Sequence, residues 1–302
     1  MVDLERNFQR CREAVRIFYL LSTLFAATML LPTHYEARQA AELDLTWPVM
    51  WLHGRDFVIW ADIFSLAAVV ASFVAYLDPG NRIARAVLPA SLLVVGGLLS
   101  SFGGINHYVH SWFWVALVMV FLPASGRRAD KLSYCLTFAT AQAMLLGFYS
   151  LAGLWKLREG MAALLVAGEG DFAPRGLALT LADRIMQTGT QPLLGRFLVE
   201  NYWLAWPMFL AVIYMQVVAI LVVFRPRLHM AWGLGLLLFH LMTFVAMEII
   251  FTVNVLLILA VLIRSPFQEP GWVSVRTLHD LPLLGFVFRR RSQSIGQVAT
   301  AG

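Results

Sequence analysis

The sequence predicts an all-α fold, a polytopic transmembrane bundle of about eight helices with a non-cytoplasmic cap between helices 5 and 6. The first observation is composition: 60% of the 302 residues are hydrophobic and 14% are charged, whereas soluble domains carry about 25% charged residues. The second is that the apolar blocks are long enough to cross a hydrocarbon core of about 30 Å as helix. The third is that these blocks are continuous, whereas a membrane barrel has short alternating segments. These observations exclude a soluble enzyme.

Eight apolar blocks are candidate membrane spans. They lie at 14–32, 57–77, 84–102, 107–123, 134–156, 203–224, 229–246 and 249–263. The last two share one apolar run of 35 residues, 229–263. That run is too long for one ordinary span and long enough for two short ones.

The distribution of positive charge predicts that both termini are cytoplasmic. Short cytoplasmic segments carry an excess of Lys and Arg, and with the N-terminus inside, 16 of the 23 such residues fall on the inner side. These are Arg6, Arg10, Arg12, Arg16, Arg82, Arg85, Arg127, Arg128, Lys131, Arg225, Arg227, Arg264, Arg276, Arg289, Arg290 and Arg291. The net charge of +5 is therefore interpreted as a topology signal, and we expect no nucleic-acid partner.

The predicted organisation is one transmembrane domain over 1–266, followed by a cytoplasmic, Arg-rich and partly disordered tail over 267–302. Within the domain, 157–202 is the longest polar stretch and is expected on the non-cytoplasmic side. It contains apolar helical patches at 161–167 and 177–186. We therefore expect a folded cap here rather than a free linker.

Ionisable residues inside the spans are the functional candidates, because each costs about 2.5 to 3.5 kcal/mol on insertion scales. They are Asp62, His107, Lys156, His240 and Glu248. Lys156 ends the fifth block, where Ala152 and Gly153 are small enough to let another helix approach closely. A desolvated lysine loses its charge more easily and is then a competent general base. The alternative interpretation is a snorkelling lysine that marks the end of the helix.

Two histidines are the other main candidates. His107 begins the fourth helix, where it is either a site residue or an interfacial residue beside Tyr108, Trp112 and Trp114 as an aromatic belt. His240 is predicted near the bilayer midplane, facing the interior of the bundle. There it either bonds a neighbouring helix or contacts a ligand.

The predicted topology brings several candidates to one membrane face. His107, Lys156 and Glu248 are expected on the same side as the cap, as a site between helices under a cap requires. No metal is expected there. His107 and His110 are one helical turn apart, but no nearby Asp, Glu or Cys completes a ligand set.

Three motifs occur in order along the chain. They are N-H-Y (Asn106, His107, Tyr108), Y-x-x-A-G-x-x-K-L (Tyr149, Ala152, Gly153, Lys156, Leu157) and F-H (Phe239, His240). With the long loop and the closing R-S-P-F of 264–267, this order resembles the HTTM (horizontally transmembrane) domain over roughly 14–266. That domain is the membrane domain of the vitamin K-dependent gamma-glutamyl carboxylases. DoxX-type membrane proteins are more distantly similar.

The resemblance implies quinone chemistry. In the carboxylases, the lysine of the second motif deprotonates vitamin K hydroquinone, and the epoxidation that follows drives carboxylation of a peptide glutamate. Carried over by motif, Lys156 takes the role of that base, and His107 and His240 are the other catalytic residues. The implied substrate-binding residues are Asn106, Tyr108, Trp155 and Phe239. The implied cofactor is a reduced quinone of the vitamin K type.

Two departures from the family leave two functions open. The first lysine of the family's lysine pair is Trp155 here, and no large non-cytoplasmic domain follows before Gly302. The chain is therefore expected to be either an enzyme of hydroquinone-dependent oxidation or carboxylation, or a non-catalytic scaffold, maturation partner or lipid-binding protein. The expected partners are the lipid bilayer, a lipophilic small molecule such as a quinone, and a protein that supplies the absent domain.

Overall fold

The computed structural model describes residues 4–39, 44–101, 107–123, 128–168, 170–268 and 279–285. Every regular element within these ranges is a helix, and none is a strand. The all-α prediction is therefore confirmed for the part of the chain that the structure describes.

Four of the described helices are long and apolar enough to cross a membrane. They are Phe57–Leu77, Arg82–Ser100, Ala129–Val166 and Pro226–Met247. Three shorter apolar helices accompany them, Val109–Met119, Tyr202–Val217 and Thr252–Ile263. These helices are compatible with a membrane protein by length and composition, and the count of eight spans stays a prediction.

The chain divides into two compact units. The first consists of Met1–Leu145 and Thr252–Pro266, and the second of Leu146–Phe251 and Phe267–Gly302. The boundary between Leu145 and Leu146 falls inside the longest helix, α5 (Arg128–Ala167).

The described residues of the first unit form six α-helices or parts of them. They are α1 (Leu4–Gln39), α2 (Phe57–Leu77), α3 (Arg82–Ser100), α4 (His107–Met119), the start of α5, and α10 (Thr252–Ile258), with a 3₁₀ helix at Trp47–Leu52 and a π-helical turn at Leu259–Ile263. Side-chain caps stabilise the N-terminal ends of two of these helices, α2 and α3. The Asp56 side chain accepts from the first amides of α2, and the Asn81 side chain accepts from the Ala84 amide in α3, which satisfies donors that a helix start leaves open.

Trp112 of α4 is fully buried in the core of the first unit. Its indole Nε1 donates to Ser22 Oγ at 2.8 Å, and its ring lies 5.7 Å from that of Phe18 and 4.8 Å from that of Phe25. The interpretation of Trp112 as part of an interfacial aromatic belt is therefore wrong. A tryptophan serves in a core when its N–H finds a partner, and the Ser22 hydroxyl supplies one.

In the second unit, the described residues form the end of α5, four further α-helices and two 3₁₀ helices. They are α6 (Gly176–Thr188), α7 (Gly195–Glu200), α8 (Tyr202–Val217), α9 (His229–Met247), and the 3₁₀ helices Ala219–Phe224 and Pro226–Leu228. Part of the predicted tail also packs here, since Tyr214 donates to the Pro282 carbonyl oxygen at 2.5 Å.

The segment predicted to be a cap, 157–202, contains the end of α5 and the helices α6 and α7. Leu181 of α6 and Leu198 of α7 share a buried cluster with Ala205 of α8 and Ala246 of α9. A free linker would not bury these side chains, and the assignment of this segment as a non-cytoplasmic cap stays a prediction.

The prediction that the fifth helix ends at Lys156 is wrong, because α5 continues to Ala167. The residues after Lys156 are mostly Ala, Leu, Met, Arg and Glu, which are good helix formers. The helix ends before Gly168, which has a φ of 68°, the left-handed conformation common just beyond a helix. The charges after Lys156 end the apolar block without ending the helix.

Candidate functional site

The candidate site is built on one face of α5, within the second unit. Tyr149, Gly153 and Lys156 are spaced four and three residues apart, so they share one side of the helix. The motif that the sequence singled out is therefore a contiguous helical surface.

Gly153 lets the end of α8 approach this face. A Cβ at Gly153 would lie 2.6 Å from the backbone nitrogen of Val217 and 2.8 Å from the Cβ of Gln216. Beside it, Ser150 Oγ accepts from the backbone amide of Ile220 at 2.9 Å, in the 3₁₀ helix that follows α8. The close helix approach expected at Gly153 is present, whereas Ala152 is exposed.

At this contact, the Lys156 side chain is hydrogen-bonded to the side-chain amide of Gln216. Its Nζ donates to Gln216 Oε1 at 3.0 Å and lies 5.7 Å from the centre of the Phe239 ring. The side chain is half-buried, and Asp171 and His240 are close enough to interact electrostatically with it. The hydrogen-bond acceptor of the amine is thus an uncharged group, and its apolar neighbour is an aromatic face.

His240 of α9 lies beside the same surface and is 4% exposed. Its Nε2 is 2.6 Å from the hydroxyl of Tyr149, and the rings of Phe239 and Phe251 each lie 4.9 Å from its ring. Its Nδ1 is buried and has no hydrogen-bond partner among the described residues. The imidazole is therefore held at one nitrogen and left open at the other.

The position of the proton on the neutral His240 imidazole follows from how many buried groups each arrangement leaves without a hydrogen bond. If Tyr149 donates to Nε2, the neutral ring carries its proton on Nδ1, and that single N–H is left unpaired. If Nε2 donates instead, both the Tyr149 proton and the Nδ1 lone pair are left unpaired. Buried unpaired groups each cost free energy, so the first arrangement is favoured, and Nδ1 is then a free N–H donor.

The structure therefore brings together Lys156, His240 and Phe239 of the residues that the sequence proposed. Trp155 lies outside this group, since it is 59% exposed and its ring packs against the Arg158 guanidinium at 4.0 Å. Asn106 lies outside the described residues, as do the side chains of His107 and Tyr108.

The remaining two candidates take other positions. Glu248 is exposed at the end of α9, where it adopts a φ of 55°, and Asp62 is half-buried on α2 of the first unit.

Sequence reasoning missed Gln216 and the role of Tyr149. Gln216 is the one amide side chain in the apolar block 203–224, and a lone amide in such a block signals a polar contact inside the protein. Tyr149 is part of the Y-x-x-A-G-x-x-K-L motif, but no local feature of the sequence indicated that its hydrogen-bond partner, His240, lies 91 residues away.

Within the described ranges, no group of three or more His, Cys, Asp and Glu side chains could hold a metal ion. The chemistry that the cluster offers is instead that of an amine base, an imidazole N–H donor and aromatic faces. Comparisons of the chain with protein-family models, with curated proteins and with solved structures found no match.

Proposed function

We propose that the protein is an integral membrane enzyme that binds a lipophilic quinol beside Lys156 and His240 and uses Lys156 as the base for its oxidation. The observation that carries the proposal is the pairing, in one cluster, of a half-buried amine with a buried imidazole that has a free nitrogen. The resemblance of the three motifs to the HTTM domain supports the same assignment.

The residues around His240 fit a quinol. The free Nδ1–H is a donor for a ligand oxygen, and it is buried, where a hydrogen bond that is not made costs most. Phe239 and Phe251 flank the imidazole and offer ring faces to a flat aromatic ligand. One polar donor among aromatic side chains is the usual composition of a small-molecule site.

Lys156 suits the role of base. A lysine in partly apolar surroundings gives up its charge more readily than one in water, and a neutral amine accepts a proton from a phenol. Gln216 holds the Nζ through its amide oxygen, and this bond orients the amine without adding a negative charge. When bound, a quinol would supply two phenolic protons and four electrons to dioxygen, so that one oxygen atom enters a ring C=C bond as the epoxide and the other leaves as water.

The experiment compares two lysine-to-arginine variants. The purified chain is placed in lipid nanodiscs with a reduced naphthoquinone that carries an isoprenoid tail, and epoxide is measured by mass spectrometry under air. Lys156→Arg keeps the positive charge but cannot act as a base, because a guanidinium stays protonated. Lys131→Arg is the matched control, since Lys131 pairs with Glu5 in the first unit at 2.6 Å and lies outside the cluster.

The wild type and Lys131→Arg are expected to form epoxide, and Lys156→Arg is expected to form none. Undiminished turnover by Lys156→Arg would show that the Lys156 amine is not the base. If the wild type binds the quinol without turnover, the enzyme proposal fails and the protein is a non-catalytic lipid-binding member of the HTTM type. If it does neither, the quinol is the wrong ligand.

A further inference from the structure

Arg85 is buried, which the distribution of positive charge along the sequence did not predict. The sequence assigns it to a basic cytoplasmic segment, but in the structure it is 0% exposed, in the first turn of α3. Its Nη1 donates to the carbonyl oxygens of Met119 at 3.2 Å and Leu122 at 2.7 Å. Met119 is the last residue of α4 and Leu122 lies three residues beyond it, so both carbonyls are near the helix end, where acceptors are left open and partial negative charge is carried.

The rest of the guanidinium has no hydrogen-bond partner among the residues that the structure describes. Within the part of the chain that the structure describes, Nε and Nη2 are both buried without a hydrogen-bond acceptor. These two nitrogens form the side edge of the guanidinium, and their N–H bonds run nearly parallel. That edge is one that binds two oxygens of a carboxylate or phosphate at once.

Two further buried donors lie in the same unit as Arg85. The hydroxyls of Tyr19 and Tyr134 are buried and lack hydrogen-bond partners among the described residues, and both are close enough to Arg85 to interact electrostatically with it. Asp78 and Arg82 also act on Arg85 electrostatically. The Asp78 carboxylate accepts from the Gly80 amide at 2.9 Å and does not bond the guanidinium.

We propose that Arg85, Tyr19 and Tyr134 form a binding site for a phosphate group. The bidentate edge supplies two donors and the hydroxyls supply two more, which suits a tetrahedral group with several oxygens better than a planar carboxylate. The anion would balance a buried charge that the end of α4 neutralises only in part. Arg85 lies in the first turn of a candidate span, the level at which lipid phosphates are found, so the phosphate is that of a lipid headgroup or a free ion.

The test uses delipidated protein in maltoside detergent. Binding is measured by native mass spectrometry and by the shift in unfolding temperature on adding inorganic phosphate, phosphatidylglycerol, or diacylglycerol with the same acyl chains. A response to inorganic phosphate identifies a free anion, and a response to phosphatidylglycerol without one to diacylglycerol identifies a headgroup. If neither phosphate-bearing probe binds, or diacylglycerol binds as well as phosphatidylglycerol, the proposal is overturned.

Two conservative variants locate the site. Arg85→Lys keeps the charge but lacks the bidentate edge, and should weaken binding about tenfold or more, the usual effect of losing a charged hydrogen bond. Arg82→Lys is the matched control, because Arg82 is exposed in the same turn of α3, and it should bind as the wild type does. Equal binding by Arg85→Lys and the wild type would contradict the assignment.

A second variant covers the case in which Arg85→Lys does not fold. Tyr134→Phe removes only a hydroxyl and should weaken phosphate binding several-fold, with the fold unchanged by circular dichroism. If Tyr134→Phe binds as tightly as the wild type, the four-donor site is wrong.

Discussion

Replacing Gly153 with alanine tests the contact on which the candidate site depends. The new Cβ would lie 2.6 Å from the nitrogen of Val217, and 2.8 Å and 2.9 Å from the Cβ and backbone carbon of Gln216. All three distances are far shorter than an ordinary contact of about 3.5 to 4.0 Å between carbon atoms. Two of the three atoms belong to the backbone, so rotating a side chain cannot relieve the clash, and α8 must move away from α5.

The expected cost follows from two opposing terms. Overpacking of this kind costs about 1 to 3 kcal/mol, and alanine in place of a mid-helix glycine returns about 0.5 to 1 kcal/mol. We expect a net loss of about 1 to 2 kcal/mol in the free energy of unfolding. Because Gln216 holds Lys156 at 3.0 Å, the displacement should also lower any activity that depends on Lys156.

Gly147→Ala is the matched control on the same helix. The atom nearest to a Cβ at Gly147 is Ile220 Cδ1 at 3.7 Å, an ordinary contact, so this variant keeps only the helix-forming gain of about 0.5 to 1 kcal/mol. Thermal unfolding in detergent, followed by tryptophan fluorescence, should show opposite shifts for the two variants. At about 2 to 4 °C per kcal/mol, the midpoints should differ by several degrees. Equal midpoints would refute the close approach at Gly153.

Two further changes have outcomes that the structure specifies. Tyr149→Phe removes the hydroxyl bonded to His240 Nε2 and should lower the free energy of unfolding by about 1 to 3 kcal/mol; an unchanged denaturation midpoint would show that the imidazole does not need this partner. The hydrogen bond from Lys131 holds the pKa of Glu5 below its ordinary value of 4.5, so Glu5→Gln should unfold at a lower temperature than the wild type at pH 7. Because a lowered carboxyl pKa stabilises the fold above that ordinary value, the difference should close as the pH falls through the lowered pKa. A difference that stays the same however far the pH is lowered would assign the effect to something other than the ion pair.

Local signals predicted much of the helical framework. The block at 57–77 matches α2, and the block at 84–102 lies within two residues of the observed α3 at either end. Both helices begin after a capping residue, Asp56 or Asn81, and such caps are readable in a sequence. The end of α5 was misjudged because hydropathy reports where a helix stops being apolar, and α5 stays helical beyond that point.

The sequence does not reveal in the same way which residues the polar side chains contact. Cys11 and Cys135 are 124 residues apart, yet their sulfur atoms lie 3.8 Å from each other in the first unit. Lys156 and Gln216 are separated by 60 residues. A hydropathy profile places each residue along a helix but does not say which face of that helix meets a neighbour.

The sequence by itself determined that this chain is helical, rich in apolar spans and equipped with a few costly polar residues. It did so because hydrophobicity and helix propensity are local properties that add up along the chain. Only the tertiary structure decided that His240 is bonded at one nitrogen, and that its other nitrogen and two nitrogens of the buried Arg85 have no hydrogen-bond partner in the described part of the chain. Those outcomes depend on how closely helices approach one another, and that approach is set at single positions such as Gly153, where the absence of one carbon atom lets two backbones meet.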